Sequence, residues 1–158
     1  MIAPAPTSQR IALDDLPGHH IRRLQQIAVA LFLQETEPLG LTPVQYATLQ
    51  AVAHTPGVDQ RTLARTIGLD TSTTGGVIDR LESRDLLARN AKPDDRRVRL
   101  LTLTESGRAL LDEATPAMLQ AQQRILEPLP PPERIEFMRM LRALVTANNS
   151  LSRAPSDA

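Results

Sequence analysis

Between Asp70 and Arg84 the chain reads DTSTTGGVIDRLESR, and its side chains sort by type when wound at about 100° per residue. Thr74, Val77, Ile78, Leu81 and Asp85 fall on one side, and Ser72, Thr73, Gly76, Arg80 and Arg84 on the other. The first side is mostly core. The second is small, hydroxylated and basic, which suits a helix entering the major groove of duplex DNA. Small residues allow close approach. Hydroxyls and the amides of the first turn, beginning at Thr71, bind phosphate oxygens or base edges. Arg80, two turns later, reaches a backbone phosphate. Gly75-Gly76 costs a helix roughly 1 kcal/mol per glycine relative to alanine, so the pair marks either close approach to a partner surface or a kink.

A second basic set follows. Arg89, Lys92, Arg96, Arg97 and Arg99 stand against Asp94 and Asp95, in a chain whose 18 basic and 18 acidic residues cancel. Leu86–Asn90 and Val98–Leu103 read as strands around the polar tip Lys92-Pro93-Asp94-Asp95-Arg96. The expected product is a β-hairpin with Arg96, Arg97 and Arg99 near its tip. A narrow minor groove attracts such arginines, and Asp95 can orient one guanidinium by a bidentate pair. Alone, this stretch reads equally well as a solvated charged loop. Beside a helix-turn-helix it reads as a wing.

The elements that must position these residues are legible along the chain. Residues 1–12 are rich in Ala and Pro and read as a flexible arm. Leu13–Glu37 is helical by its apolar spacing, and Pro38 and Gly40 end it. Thr42-Pro43 opens a second helix that runs to His54. A short third helix, Asp59–Ile67, stops at Gly68, and Asp70 or Thr71 caps the Thr71–Arg84 helix after a tight turn. Beyond the hairpin, Thr104 caps a long helix that Pro116 should bend, and prolines 128 and 130–132 separate it from a last helix, Glu133–Asn148. The fold class is therefore mainly α: a winged helix-turn-helix with added N- and C-terminal dimerisation helices. The expected organisation is an arm at 1–12, a first dimerisation helix at 13–40, and a DNA-binding domain at 41–104. C-terminal dimerisation helices follow at 105–148, then a disordered tail at 149–158. The terminal helices carry broad apolar faces, and burial between two copies of the chain is the expected solution.

Composition excludes several functions. With no cysteine, disulfides, thiolate metal sites and thiol-based redox sensing are ruled out. No apolar run approaches the roughly 18 residues of a membrane span, and the N-terminus lacks a signal core, so a cytoplasmic protein is expected. His19 and His20 are helix neighbours about 100° apart and make a poor chelate. No metal or cofactor is expected, although a metal-responsive regulator stands as an alternative. Catalytic signatures are missing: no nucleophile–base–acid spacing, no phosphate loop and no carboxylate pair in apolar context. A further alternative is a winged-helix module that binds only protein, against which the cationic hairpin argues.

The residues of the hairpin resemble a known family, the MarR family of bacterial regulators. Asp95-x-Arg97 followed by Leu103-Thr104 and Gly107 meets the family's D-x-R-x5-L-T-x-x-G pattern. Leu41-Thr42-x-x-Gln45-Tyr46, Leu63-Ala64 with Ile67-Gly68, and Asp79-Arg80-Leu81-Glu82 are similar to its second, third and fourth helices. The resemblance covers residues 20–147. It implies a homodimer on a pseudo-palindromic operator, acting as a repressor of a catabolic or efflux operon and released by a small ligand, often an aromatic acid. It assigns Arg97 to the minor groove with Asp95 in support, and Ser72, Thr73 and Arg80 to phosphates or bases. It places the effector between the dimerisation helices and the DNA-binding lobe. There His19, His20, Arg22, Arg23 and Tyr46 are the candidate polar residues. Two departures stand out. Gly76 occupies a position where many members carry a base-reading side chain, and Asp85 replaces a glycine before the first wing strand, where aspartate tolerates the left-handed backbone.

Overall fold

The computed structural model describes residues 11–152 and Pro155. Among the described residues six α-helices and three strands follow in order: α1 Pro17–Thr36, α2 Pro43–His54, β1 Val58–Asp59, α3 Gln60–Ile67, α4 Thr71–Ser83, β2 Leu87–Lys92, β3 Asp95–Leu103, α5 Glu105–Leu126 and α6 Pro131–Ala147. This is the expected winged helix-turn-helix with helices added at both ends. The arm expected at 1–12 lies outside the described residues except for Ile11 and Ala12. Of the expected tail, Asn149–Leu151 form a 3-10 turn. Residues 153, 154 and 156–158 lie outside the described residues.

Local chemistry sets most boundaries. Thr42 and Gln45 cap α2 reciprocally, each side chain accepting the other's amide N–H, with Pro43 at the first helical position. Gly68, at φ 68°, ends α3. The end of α4 is a Schellman turn: the Leu86 N–H donates to the Leu81 carbonyl and the Asp85 N–H to that of Glu82. Asp85 takes φ 56° there, so aspartate does adopt the left-handed backbone at this turn.

The sheet has the order β1-β3-β2, antiparallel throughout. The β1 strand was not anticipated, because two residues carry no periodic signal. It pairs Val58 with Leu101, and the Gly57 N–H donates to the Leu101 carbonyl at 2.8 Å. The stem of the hairpin is thereby tied to the α2–α3 link. The hairpin turn is also shorter than expected. Asp95 pairs with Lys92, leaving Pro93-Asp94 as the turn, and the ladder is irregular between Ala91 and Lys92. Asp95 and Arg96, placed at the tip by their polarity, begin β3 instead.

Leu49, Val52, Leu63, Ile78, Leu81, Leu87 and Leu101 form the buried centre, with Phe32 of α1 and Leu111 and Ala114 of α5 joining it. Helix α1 lies along α5. Helix α6 buries none of its residues. Ile135 is 76% and Leu144 56% exposed. No helix among the described residues is long and apolar enough to cross a membrane.

Candidate nucleic-acid interface

The first turn of α4 is built by its cap. Asp70 Oδ1 accepts the Thr73 amide at 2.8 Å and Oδ2 accepts the Thr73 hydroxyl at 2.6 Å. Thr74 turns inward, is buried, and donates to the Asp70 carbonyl at 2.9 Å. Thr71, Ser72, Thr73 and Arg80 are exposed and Gly76 is half-buried. Val77, Ile78 and Leu81 are buried on the opposite side. The cap has a chemical consequence. The Thr73 hydroxyl proton is committed to Asp70, so toward a ligand Thr73 offers lone pairs only. That suits an exocyclic amino group of a base and not a phosphate oxygen. The exposed Ser72 hydroxyl can donate to an acceptor such as a phosphate oxygen.

The Thr73 hydroxyl and amide hold the Asp70 carboxyl below the ordinary aspartate value of 3.8. The ionised form therefore favours the fold. Its contribution is complete above pH 3.8 and disappears as the pH drops through the lowered folded value. Asp70→Asn keeps a capping side chain but no charge. The Tm of the parent should exceed that of the variant at neutral pH, and the two should converge as the pH falls below 3.8. A gap of constant size across that range would show that the charge is not what stabilises the turn.

The two glycines have separate explanations. A Cβ on Gly76 would meet nothing nearer than Arg80 Nη1, at 4.0 Å. The Arg80 guanidinium folds back over the bare backbone at Gly76 and sits a turn closer to the helix start than its sequence position suggests. A Cβ on Gly75 would stand 2.9 Å from Gln60 Nε2. Close approach there is to a side chain of α3.

Arg97 and Arg99 are exposed on the hairpin, alternating with half-buried Val98 and Leu100. Asp95 is exposed, and its Oδ1 accepts the Arg97 main-chain N–H at 3.0 Å. This two-residue Asx turn fixes the backbone of Arg97. The backbone of Arg96 lies in β3, and its side chain lies outside what the structure describes.

Two other arginines are structural. Arg89 of β2 reaches Asp79 at 2.5 Å and Glu82 at 2.7 Å, both on α4. Such partly exposed pairs are worth less than ~1 kcal/mol each. Their effect is geometric, holding the hairpin stem to the helix. Arg84, assigned to the outer face by helical arithmetic, donates to the Gly40 carbonyl at 2.9 Å and the Leu39 carbonyl at 3.3 Å. It ties the end of α4 to the turn that follows α1, while its side chain stays exposed, as the helical arithmetic places it. Neither role was legible in sequence, because each partner lies on another element or offers only a main-chain oxygen.

The five candidate effector residues do not converge. Tyr46 is 6% exposed, packs edge-on against Phe32 at 6.0 Å, and bonds to Thr115 Oγ1 at 3.3 Å. The other four lie on the first turns of α1, about 14–20 Å along the helix from Phe32 at 1.5 Å per residue. His19 Nδ1 faces Arg22 Nη2 at 3.4 Å, and His20 Nε2 lies 2.8 Å from the Asp14 carbonyl. His20 and Arg23 border a groove of about 580 Å³ with Ile27, Phe137 and Leu144. A neighbouring apolar groove of about 600 Å³ runs between α1, α5 and α6, past Leu24, Ile125 and Met138.

Known proteins share this fold. The profile of the MarR family matches residues 41–98. The HTH-type transcriptional repressor NicR of Pseudomonas putida is 32% identical over 133 residues, 84% of each chain. The transcriptional repressor CouR, solved on a 23-mer DNA duplex, is 32% identical with a TM-score of 0.80, over 84% of this chain and 94% of that one. BpsR of Bordetella bronchiseptica, whose DNA binding is regulated by 6-hydroxynicotinic acid, is 34% identical with a TM-score of 0.81, over 86% and 97% of the two chains.

Proposed function

The chain belongs to the MarR family, and from that premise we propose that it is a cytoplasmic homodimeric repressor of a catabolic or efflux operon. It binds a pseudo-palindromic operator and leaves it when a small aromatic acid binds. One observation carries the DNA-binding part. The groove face of α4 and the arginine hairpin belong to one rigid unit, fastened together by Arg89 on Asp79 and Glu82. In this reading Thr71, Ser72, Thr73, Gly76 and Arg80 meet the major groove, and Arg96, Arg97 and Arg99 the minor groove and its phosphates. Asp95 holds the Arg97 backbone. The twofold partner covers the apolar face of α6 and the groove against α1 and α5. The aromatic acid is suggested by the ligand of BpsR. His20 and Arg23, which border a groove containing Phe137, take its carboxylate, in preference to buried Tyr46 and to His19 and Arg22, which do not line that groove.

Titration of the gene's own promoter duplex and of random duplex, across a salt series, tests this. Affinity should fall steeply with salt, with a log–log slope of about −0.9 per phosphate neutralised. Arg80→Ala should weaken both duplexes alike and reduce the slope by about one. Binding indifferent to salt, or none, would sink the DNA-binding reading and favour a module that docks only protein. An aromatic acid added to the operator complex should release it.

A further inference from the structure

Gly75 stands on the shoulder of α4, about 60° round the helix from Ser72, between the buried face and the groove face. The notch left by its missing side chain is filled from α3. Gln60 Nε2 lies 2.9 Å from where a Cβ would be, and the same nitrogen donates to the Thr71 carbonyl at 3.0 Å. The apolar anchors between the two helices sit farther along, at Leu63 and Ala64 of α3 and at Val77 and Ile78 of α4. The first turn of α4 is held by its own Asp70 cap, by inward-facing Thr74 and, across helices, by this amide. A side chain at position 75 would displace it, and glycine's helix penalty is accepted there.

We propose that Gln60 is a positioning residue for operator recognition. Seated in the Gly75 notch, its carboxamide sets where the Ser72 and Thr73 hydroxyls and the first-turn amides stand. The inference rests on the DNA-binding reading above. Recognition groups need placement to within about 0.5 Å, and the Gln60 amide bonds directly to the carbonyl at the start of the turn that carries them.

The test is a double-mutant cycle on the full chain, read by operator affinity, random-duplex affinity and Tm. In Gly75→Ala the new methyl meets the flexible end of Gln60, so the amide swings off Thr71 while the fold survives. Operator affinity should drop about fivefold or more, the scale of one lost hydrogen bond, with Tm unchanged or higher. Gln60→Ala should show the same operator loss, with random-duplex binding little changed. The double variant should be no weaker than either single one, because both remove the same seat. An additive loss would mean that Gly75 is needed for direct approach to DNA, and the proposal would fall. An unchanged operator affinity in Gln60→Ala would overturn it as well. A parent that binds no duplex in a salt-dependent manner would instead remove the DNA-binding reading and this inference with it.

Discussion

Gly107→Ala should lower the Tm by roughly 5–10 °C, the effect of about 2–3 kcal/mol in a domain of this size. A Cβ on Gly107 would stand 1.9 Å from the Leu86 carbonyl oxygen and 2.9 Å from its carbon. Both are backbone atoms, and Leu86 is held on either side. Its N–H donates to the Leu81 carbonyl, and its own carbonyl accepts the Thr104 N–H at 3.2 Å. Thr104 then bridges onward, its hydroxyl donating to the Asp85 carbonyl at 2.6 Å and accepting the Gly107 N–H at 2.9 Å. The first turn of α5 therefore rests on the end of α4 through a closed set of main-chain contacts that cannot yield separately. Alanine gains about 1 kcal/mol in helix propensity. Overpacking against fixed backbone costs about 3 kcal/mol or more, so the loss dominates. Thermal unfolding monitored by circular dichroism decides the matter. An unshifted Tm would mean that α5 can slide off Leu86 freely and that the close approach is incidental.

Arg97→Ala should weaken operator binding by about tenfold to a hundredfold, the 1–3 kcal/mol typical of a specific arginine contact, and leave Tm unchanged. Arg97 is exposed, and its backbone remains fastened to Asp95. The fold therefore loses nothing that its interior requires. Asp95 supplies the sharper comparison. Because its oxygen accepts a main-chain N–H, Asp95→Asn retains an acceptor and should keep most of the affinity, whereas Asp95→Ala should lose it. If Asp95→Asn is as damaging as Asp95→Ala, the carboxylate charge acts on a guanidinium after all. If Arg97→Ala binds operator as well as the parent, the hairpin is not part of the interface.

Helix extents could be read in advance because their causes are local. Caps at Thr42, Asp70 and Thr104, stops at Gly40 and Gly68, and apolar spacing within each helix all act over a few residues. The same holds for the sorting of α4 into a buried side and an outward side containing Ser72, Thr73 and Arg80, since helical geometry alone decides it. The D-x-R-x5-L-T-x-x-G run likewise carried the family within one stretch of chain. It did not say why its last residue must be glycine.

That reason, and the fate of each polar side chain, came from contacts across the fold. Arg84 and Arg89 read as basic surface residues in sequence, yet both hold partners within the chain, carbonyls more than forty residues away in one case and carboxylates on a neighbouring element in the other. Gly75 answers to Gln60 of another helix, and Gly107 to the backbone of Leu86. Tyr46 and the histidines of α1 seemed to share a cleft until packing put the ring against Phe32 and left the histidines at the far end of the helix. Periodicity and capping are short-range and act within a few residues of chain. The choice of partner for an arginine, an amide or a missing Cβ depends on which distant atoms the closed core brings within hydrogen-bond or van der Waals range.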